Sequence, residues 1–185
     1  FSGGLVVGQS GQGTFNLSAG TVTVNANVGV GNAGAGTVNQ SGGSLTVGSG
    51  YSIFIGRDPG SSGTYNFSNT NGPSTLTVNA GNIQVGHQGH GHFTQNGGEV
   101  TVPPGANAGD VFIANAPTAT GEYTINAGTL TGAGLLATSS TFVQSGATIK
   151  PSLGGAGTTF TQLTLNGGTL DTGSGTTGGS ITLGA

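Results

Sequence analysis

Three short phrases recur in fixed order along this chain, and they leave few folds open to it. The first is Gly-Thr-apolar-Asn, usually with an aromatic in third place: Gly13-Thr14-Phe15-Asn16, Gly36-Thr37-Val38-Asn39 and Gly63-Thr64-Tyr65-Asn66. It returns altered at Gly91-His92-Phe93-Thr94, Gly121-Glu122-Tyr123-Thr124, Ser140-Thr141-Phe142-Val143 and Thr161-Gln162-Leu163-Thr164. The second reads small-Gly-x-apolar-x-apolar, as in Ala19-Gly20-Thr21-Val22-Thr23-Val24 and Gly42-Gly43-Ser44-Leu45-Thr46-Val47. The third is apolar-x-apolar-Gly: Leu5-Val6-Val7-Gly8, Val28-Gly29-Val30-Gly31, Ile53-Phe54-Ile55-Gly56, Ile83-Gln84-Val85-Gly86 and Ile181-Thr182-Leu183-Gly184.

Each phrase alternates apolar and polar residues over a few positions, the pattern of a half-buried strand. Each is bounded by Gly, Asn or Ser, which turn corners. From Phe15 the anchor of the first phrase returns at 38, 65, 93, 123, 142 and 163. Three strands per repeat at that spacing predict a parallel β-solenoid, or β-helix, spanning 1–185 as a single all-β domain. The expected architecture is about seven coils of three short strands, essentially without α-helix, and right-handed by the general crossover preference. Equivalent residues then stack into columns: Phe15, Val38, Tyr65, Phe93, Tyr123, Phe142 and Leu163 in one; Val22, Leu45, Leu76, Val100, Leu130, Ile149 and Leu170 in another. A third column alternates apolar and amide residues: Leu17, Gln40, Phe67, Gln95, Ile125, Gln144 and Leu165. Buried, its glutamines need hydrogen-bond partners, for which the corner backbone is the nearest source.

With 41 glycines and 6 prolines, the chain approaches the composition of low-complexity disorder. Disordered chains, however, are poor in apolar residues and rich in charge, whereas here 32% is hydrophobic and only 4% charged. The net charge of −3 carries no basic cluster, which argues against nucleic-acid binding. No apolar run is long enough to insert in a membrane as a helix. A surface wetted by Ser, Thr, Asn and Gln, with no cysteine, fits an extracellular or cell-surface protein. Low charge also removes the repulsion that keeps copies apart. The chain contains no methionine and reads as a processed product or an excised segment.

Stretches such as GTVNQSGGSLTVG (36–48) resemble repeats of bacterial surface β-solenoid proteins, both autotransporter passenger domains and Gly-rich repeat proteins of the PEP-CTERM kind. The resemblance spans nearly the whole chain, and it implies a fold and a surface location rather than an activity.

All three histidines lie in GHQGHGHF (86–93), which suggests a metal site or a phosphate loop. Aligned with GQSGQGTF (8–15) and GNAGAGTV (31–38), it is one corner of the repeat with different side chains. A phosphate loop also needs a following helix, and none is expected. His87 replaces Gln9 and Asn32, His90 replaces Gln12 and Ala35, and His92 replaces Thr14 and Thr37, all at outward positions. The expectation is exposed corner histidines with no bound metal. His87, His90 and His92, with Glu122 placed beside His92 by the repeat, are the side chains from which a metal site would be built. The five acids do not pair as general acid and base: Asp58 adjoins Arg57, Asp110 precedes a strand, Glu99 stands among threonines, and Asp171 falls beside Lys150. No catalytic residue, enzymatic activity or cofactor is expected.

Two outward features remain. Thr21/Thr23, Ser44/Thr46, Thr75/Thr77 and Thr129/Thr131 form ranks resembling the flat faces of ice-binding solenoids, though threonine is also a good strand residue. The sequons at Asn16, Asn39 and Asn66 occupy one position in three coils, as candidate glycosylation sites or as by-products of the repeat. Leu5–Gly8 and Ile181–Gly184 carry the same phrase, so the chain begins and ends in one phase of the coil. That matching phase suits head-to-tail self-association into a fibre, of which the chain is a subunit or segment. The alternative is an adhesin or a carbohydrate- or ice-binding module using one face.

Overall fold

The computed structural model describes residues 3–103 and 109–131 in full, and beyond them the backbone of strands Gly134–Ala137, Thr141–Gln144, Thr148–Lys150, Thr158–Phe160, Gln162–Leu165, Thr169–Leu170 and Ile181–Leu183. Among these residues every element is a strand, every strand pair is parallel, and the strands stack as a β-solenoid.

Three walls result. The first carries the anchor column in unbroken register, Phe15↔Val38↔Tyr65↔Phe93↔Tyr123↔Phe142↔Leu163. The second aligns Val22↔Leu45↔Leu76↔Val100↔Leu130↔Ile149↔Leu170. The third aligns Leu5↔Val28↔Ile53↔Ile83↔Val111↔Leu135. The columns expected from the phrases are therefore the columns that form. One local difference concerns strand length. His90–Thr101 and Thr120–Thr131 are single 12-residue strands that run from the first wall into the second. They bend through a bulge at Gln95–Glu99, where the register shifts, instead of breaking into two short strands.

Val111-Phe112-Ile113, the strand expected after Asp110, takes its place in the third wall without the closing glycine of the third phrase. The difference lies at the corner. Gly8, Gly31, Gly56 and Gly86 end the preceding third-wall strands with φ of 77°, 70°, 69° and 75°. A Cβ on Gly31 would stand 2.0 Å from the Ser62 carbonyl oxygen of the next coil, so glycine is required there for space as well as for conformation. Ala114 occupies the same corner at φ 55°, a left-handed alanine where the motif calls for glycine. The corner amides still extend the ladder, with Gly31, Gly56, Gly86 and Ala114 donating to Val7, Val30, Ile55 and Val85 carbonyls at 2.7–2.9 Å.

Between the walls lies one continuous apolar core. Tyr65, Phe93 and Tyr123 stack at centroid separations of 5.0 and 4.5 Å with interplanar angles of 14° and 20°. Each fully buried aromatic or aliphatic side chain contributes roughly 1.5–3 kcal/mol. Gln40 and Gln95 of the third column are buried too, and their partners go beyond the corner backbone. Gln40 donates through Nε2 to the Gly43 and Thr75 carbonyls at 3.2 and 2.9 Å, while its Oε1 accepts from the Tyr65 hydroxyl at 2.7 Å. Gln95 repeats the arrangement with the Gly98 and Thr129 carbonyls and the Tyr123 hydroxyl, at 3.3, 3.1 and 3.1 Å. The rule is visible in the chain once the geometry is known: a tyrosine anchor follows a coil with glutamine two residues after its own anchor, whereas Phe93 follows Phe67. Burial pushes both phenols well up, with Tyr65 adding to the effect on Tyr123, which keeps both hydroxyls protonated as donors.

Replacing Gln40 by Leu strands the Tyr65 hydroxyl in the core and is expected to cost about 1–3 kcal/mol in a urea-unfolding series. Adding Tyr65→Phe should return part of that loss, giving a non-additive double-mutant cycle. Strict additivity of the two single losses would mean that the pair does not act as a unit.

Candidate functional site

Among the described residues the interior is packed with apolar side chains, and the candidate polar and charged groups lie on the outer surface of the walls. The histidine corner lies where the third wall turns into the first. Its expected alignment holds, since His92 pairs in register with Thr64 on one side and Glu122 on the other. The Nδ1 of His92 lies 3.5 Å from Glu122 Oε2, and its Nε2 lies 2.8 Å from Thr94 Oγ1. Both side chains of the ion pair are nearly half exposed, so its worth is under about 1 kcal/mol. Glu122 also accepts from Thr124 at 2.9 Å, and His90 Nδ1 lies 2.6 Å from Thr120 Oγ1.

His87 departs from the expected exposure. It packs edge-on against Phe54, ring centroids 5.1 Å apart at 70°, with its Nδ1 3.3 Å from Asn115 Nδ2. Arg57 covers the same phenyl ring with its guanidinium carbon 5.4 Å from the centroid, and its Nε lies 3.9 Å from Asp58. Three neighbouring coils of this wall share the arrangement. Their outward positions meet corner side chains: Asn32 over Gly29, His87 over Phe54, and Asn115 donating to Gln84 at 3.0 Å. A Cβ on Gly29 would come within 2.1 Å of Asn32 Oδ1, an oxygen that is buried without a hydrogen-bond partner. His92 is likewise half-buried, and only His90 is exposed. Each imidazole is thus engaged by a different neighbour, and among the described residues no three His, Asp or Glu side chains converge as a metal-ligand set.

The acids are dispersed in the same way. Glu99 accepts from Thr101 at 3.2 Å on the second wall, and burial pushes the Asp110 carboxyl up. Asp171 lies outside the described residues. The three sequon asparagines form a ladder: Asn39 Nδ2 donates to Asn16 Oδ1, and Asn66 Nδ2 to Asn39 Oδ1, both at 2.9 Å. The amides that would carry glycans at Asn39 and Asn66 are therefore engaged between coils. Asn126 repeats the bond to Asn96 at 2.8 Å.

The threonine ranks of the second wall are in register, Thr21↔Ser44↔Thr75↔Glu99↔Thr129 and Thr23↔Thr46↔Thr77↔Thr101↔Thr131. Glu99 interrupts the first rank. Thr75 Oγ1 donates to Ser44 Oγ at 2.9 Å, so part of the hydroxyl chemistry is spent between coils. Beside the ranks lies an open depression of about 520 Å³ lined by Asn69, Gly72, Pro73, Ser74, Thr75, Gly98 and Glu99. Compared with models of protein families, with curated proteins and with solved structures, the chain shows no match.

His87 generates a pH prediction. Its burial against Phe54, reinforced by Arg57 and opposed by Asp58, holds the imidazole below its ordinary value of about 6.5. A group whose folded pKa is depressed stabilises the fold above the unfolded value. That contribution is lost as the pH falls from about 6.5 through the folded value. Unfolding midpoints measured from neutral to mildly acidic pH should decline in that window, and His87→Gln, which installs the residue found at Gln9, should flatten the decline. An unchanged slope in the variant would assign the effect elsewhere.

Proposed function

We propose that this chain is a structural segment of an extracellular surface fibre, a β-solenoid rod that lengthens by head-to-tail stacking of coil on coil. The observation that supports it is where the polar chemistry goes. The Asn16–Asn39–Asn66 ladder, the Asn96–Asn126 bond, the Ser44–Thr75 bond and the Gln–Tyr pairs all run between coils. Side chains that an enzyme would aim at a substrate are here used to hold one turn on the next. Near-absence of charge favours self-association, since little repulsion opposes contact between copies. The likeness of the repeats to autotransporter passenger and PEP-CTERM-type surface proteins points to the same role and to the cell exterior.

A second reading rests on a different observation, the paired in-register threonine ranks. They present hydroxyl and methyl groups at about 4.8 Å between coils and about 6.7 Å along the strand. A repeating, uncharged partner, a polysaccharide surface or ice, fits such a face. This is the adhesin or binding-module alternative.

Electron microscopy and small-angle scattering across a concentration series separate the two. A fibre subunit gives rods that lengthen with concentration and a 4.7–4.8 Å meridional reflection when aligned. Dispersed single-chain particles at every concentration would overturn the fibre. Co-sedimentation with insoluble polysaccharide or partition into ice, abolished by Thr77→Lys, is expected only of the binding module, and its absence rejects that reading.

A further inference from the structure

The corner between the first and second walls holds a reactive peptide unrelated to either reading above. The chain contains three Asn-Gly pairs, Asn71-Gly72, Asn96-Gly97 and Asn166-Gly167. Such a pair can cyclise, because the glycine amide nitrogen has no neighbouring Cβ to keep it from the asparagine carboxamide carbon. Whether it does so in a folded protein depends on how freely the two groups can meet.

The two described pairs differ sharply. Asn96 sits inside the long strand His90–Thr101, and its Oδ1 accepts from Asn126 Nδ2 at 2.8 Å. Gly97 is buried, and an atom at its Cβ position would lie 2.2 Å from Asn69 Oδ1. Cyclisation at Asn96 must therefore break its bond to Asn126 and distort a residue paired with the next coil inside a strand. Asn71 is exposed in a turn. Nothing lies within 4 Å of the Cβ position of Gly72, whose φ of 129° is one that L side chains rarely adopt. The Gly72 amide makes only a long 3.3 Å bond, to the Asn69 carbonyl. Beyond that, cyclisation has to break one side-chain bond, Asn71 Nδ2 to Ser41 Oγ at 2.7 Å.

We propose that Asn71-Gly72 is a spontaneous deamidation site, converted by water to aspartate and isoaspartate. The Gly72 nitrogen attacks Asn71 Cγ, forming a new C–N bond. The Cγ–Nδ2 bond breaks, and ammonia leaves with the proton from the Gly72 amide. Water then opens the succinimide. Cleavage at the former side-chain carbonyl restores the backbone as Asp-Gly, and cleavage at the main-chain carbonyl leaves isoaspartate, with the backbone one carbon longer. The net change is one amide and one water replaced by one carboxylate and one ammonium ion.

The location gives the reaction consequences. Gly72 and Glu99 both line the depression, so the new carboxylate at residue 71 adds negative charge next to that depression. Two coil-to-coil bonds flank the altered peptide, Asn71 N to Ser41 O at 2.8 Å and Gly43 N to Pro73 O at 2.9 Å. The extra backbone carbon of isoaspartate falls between them and loosens that corner. The site is an age mark written into the surface of the rod.

The test incubates the intact chain at mildly alkaline pH in ¹⁸O-labelled water, then maps peptides by mass spectrometry, with a denatured sample in parallel. The expected result is label at residue 71 in the folded chain, with conversion at Asn96 slower by about tenfold or more, because Asn96 reacts only after its paired strand opens. Denatured, the two pairs should convert at comparable rates. Asn71→Gln should remove the acidic charge variant that accumulates in the folded protein. Equal rates at Asn71 and Asn96 in the folded chain would overturn the proposal. So would an unmodified Asn71 after the denatured chain has converted fully.

Discussion

In-register parallel pairing between coils is the constraint on which everything else in this protein depends. Because each strand sits on its counterpart at a spacing of about 4.8 Å, a side chain's nearest neighbours are the residues at its own position in the coils above and below. Chemistry is therefore settled column by column. An aromatic column can stack, as Tyr65, Phe93 and Tyr123 do; an asparagine column can bond to itself, as Asn16, Asn39 and Asn66 do. The same spacing explains the corners. Where the chain turns off the third wall, the next coil's backbone comes so close that Gly8, Gly31, Gly56 and Gly86 have no space for a Cβ.

Burying an amide in such a column carries a risk that an aliphatic residue does not. An unpaired carboxamide costs several kcal/mol in a dry interior. Gln40 and Gln95 avoid this with all their polar atoms committed: the nitrogen to two carbonyls, the oxygen to a tyrosine of the following coil. The result joins first wall to second wall and one coil to the next in a single unit. Apolar contact alone tolerates slippage, whereas this arrangement is satisfied at one register only. The glutamines thus specify which residues stack.

The outer surface follows the same logic with looser terms. Threonine, serine and asparagine bond between coils in the open, where water competes and each bond is worth little. Among the described residues the charged groups are few and stand apart. His92 with Glu122 and Arg57 with Asp58 are isolated pairs, and His87 is drawn down onto Phe54. What would be a cluster in a compact enzyme is here spread over two walls by the turn of the coil.

Read on its own, the chain determined the parallel solenoid, the membership of its columns and the pairing of His92 with Glu122. All three follow from periodicity, and a repeat states its periodicity openly. The strand expected after Asp110 lacks the closing glycine of its phrase, because the corner demands a left-handed φ, which Ala114 adopts at a cost. Only the tertiary structure decided that the buried glutamines meet tyrosine hydroxyls, that His87 lies on a phenyl ring instead of in solvent, and that Asn96 is paired within a strand while Asn71 sits in a turn. These depend on distances across a corner or between walls. A linear pattern records which residues recur, but it holds no information on how far a side chain must reach to find its partner.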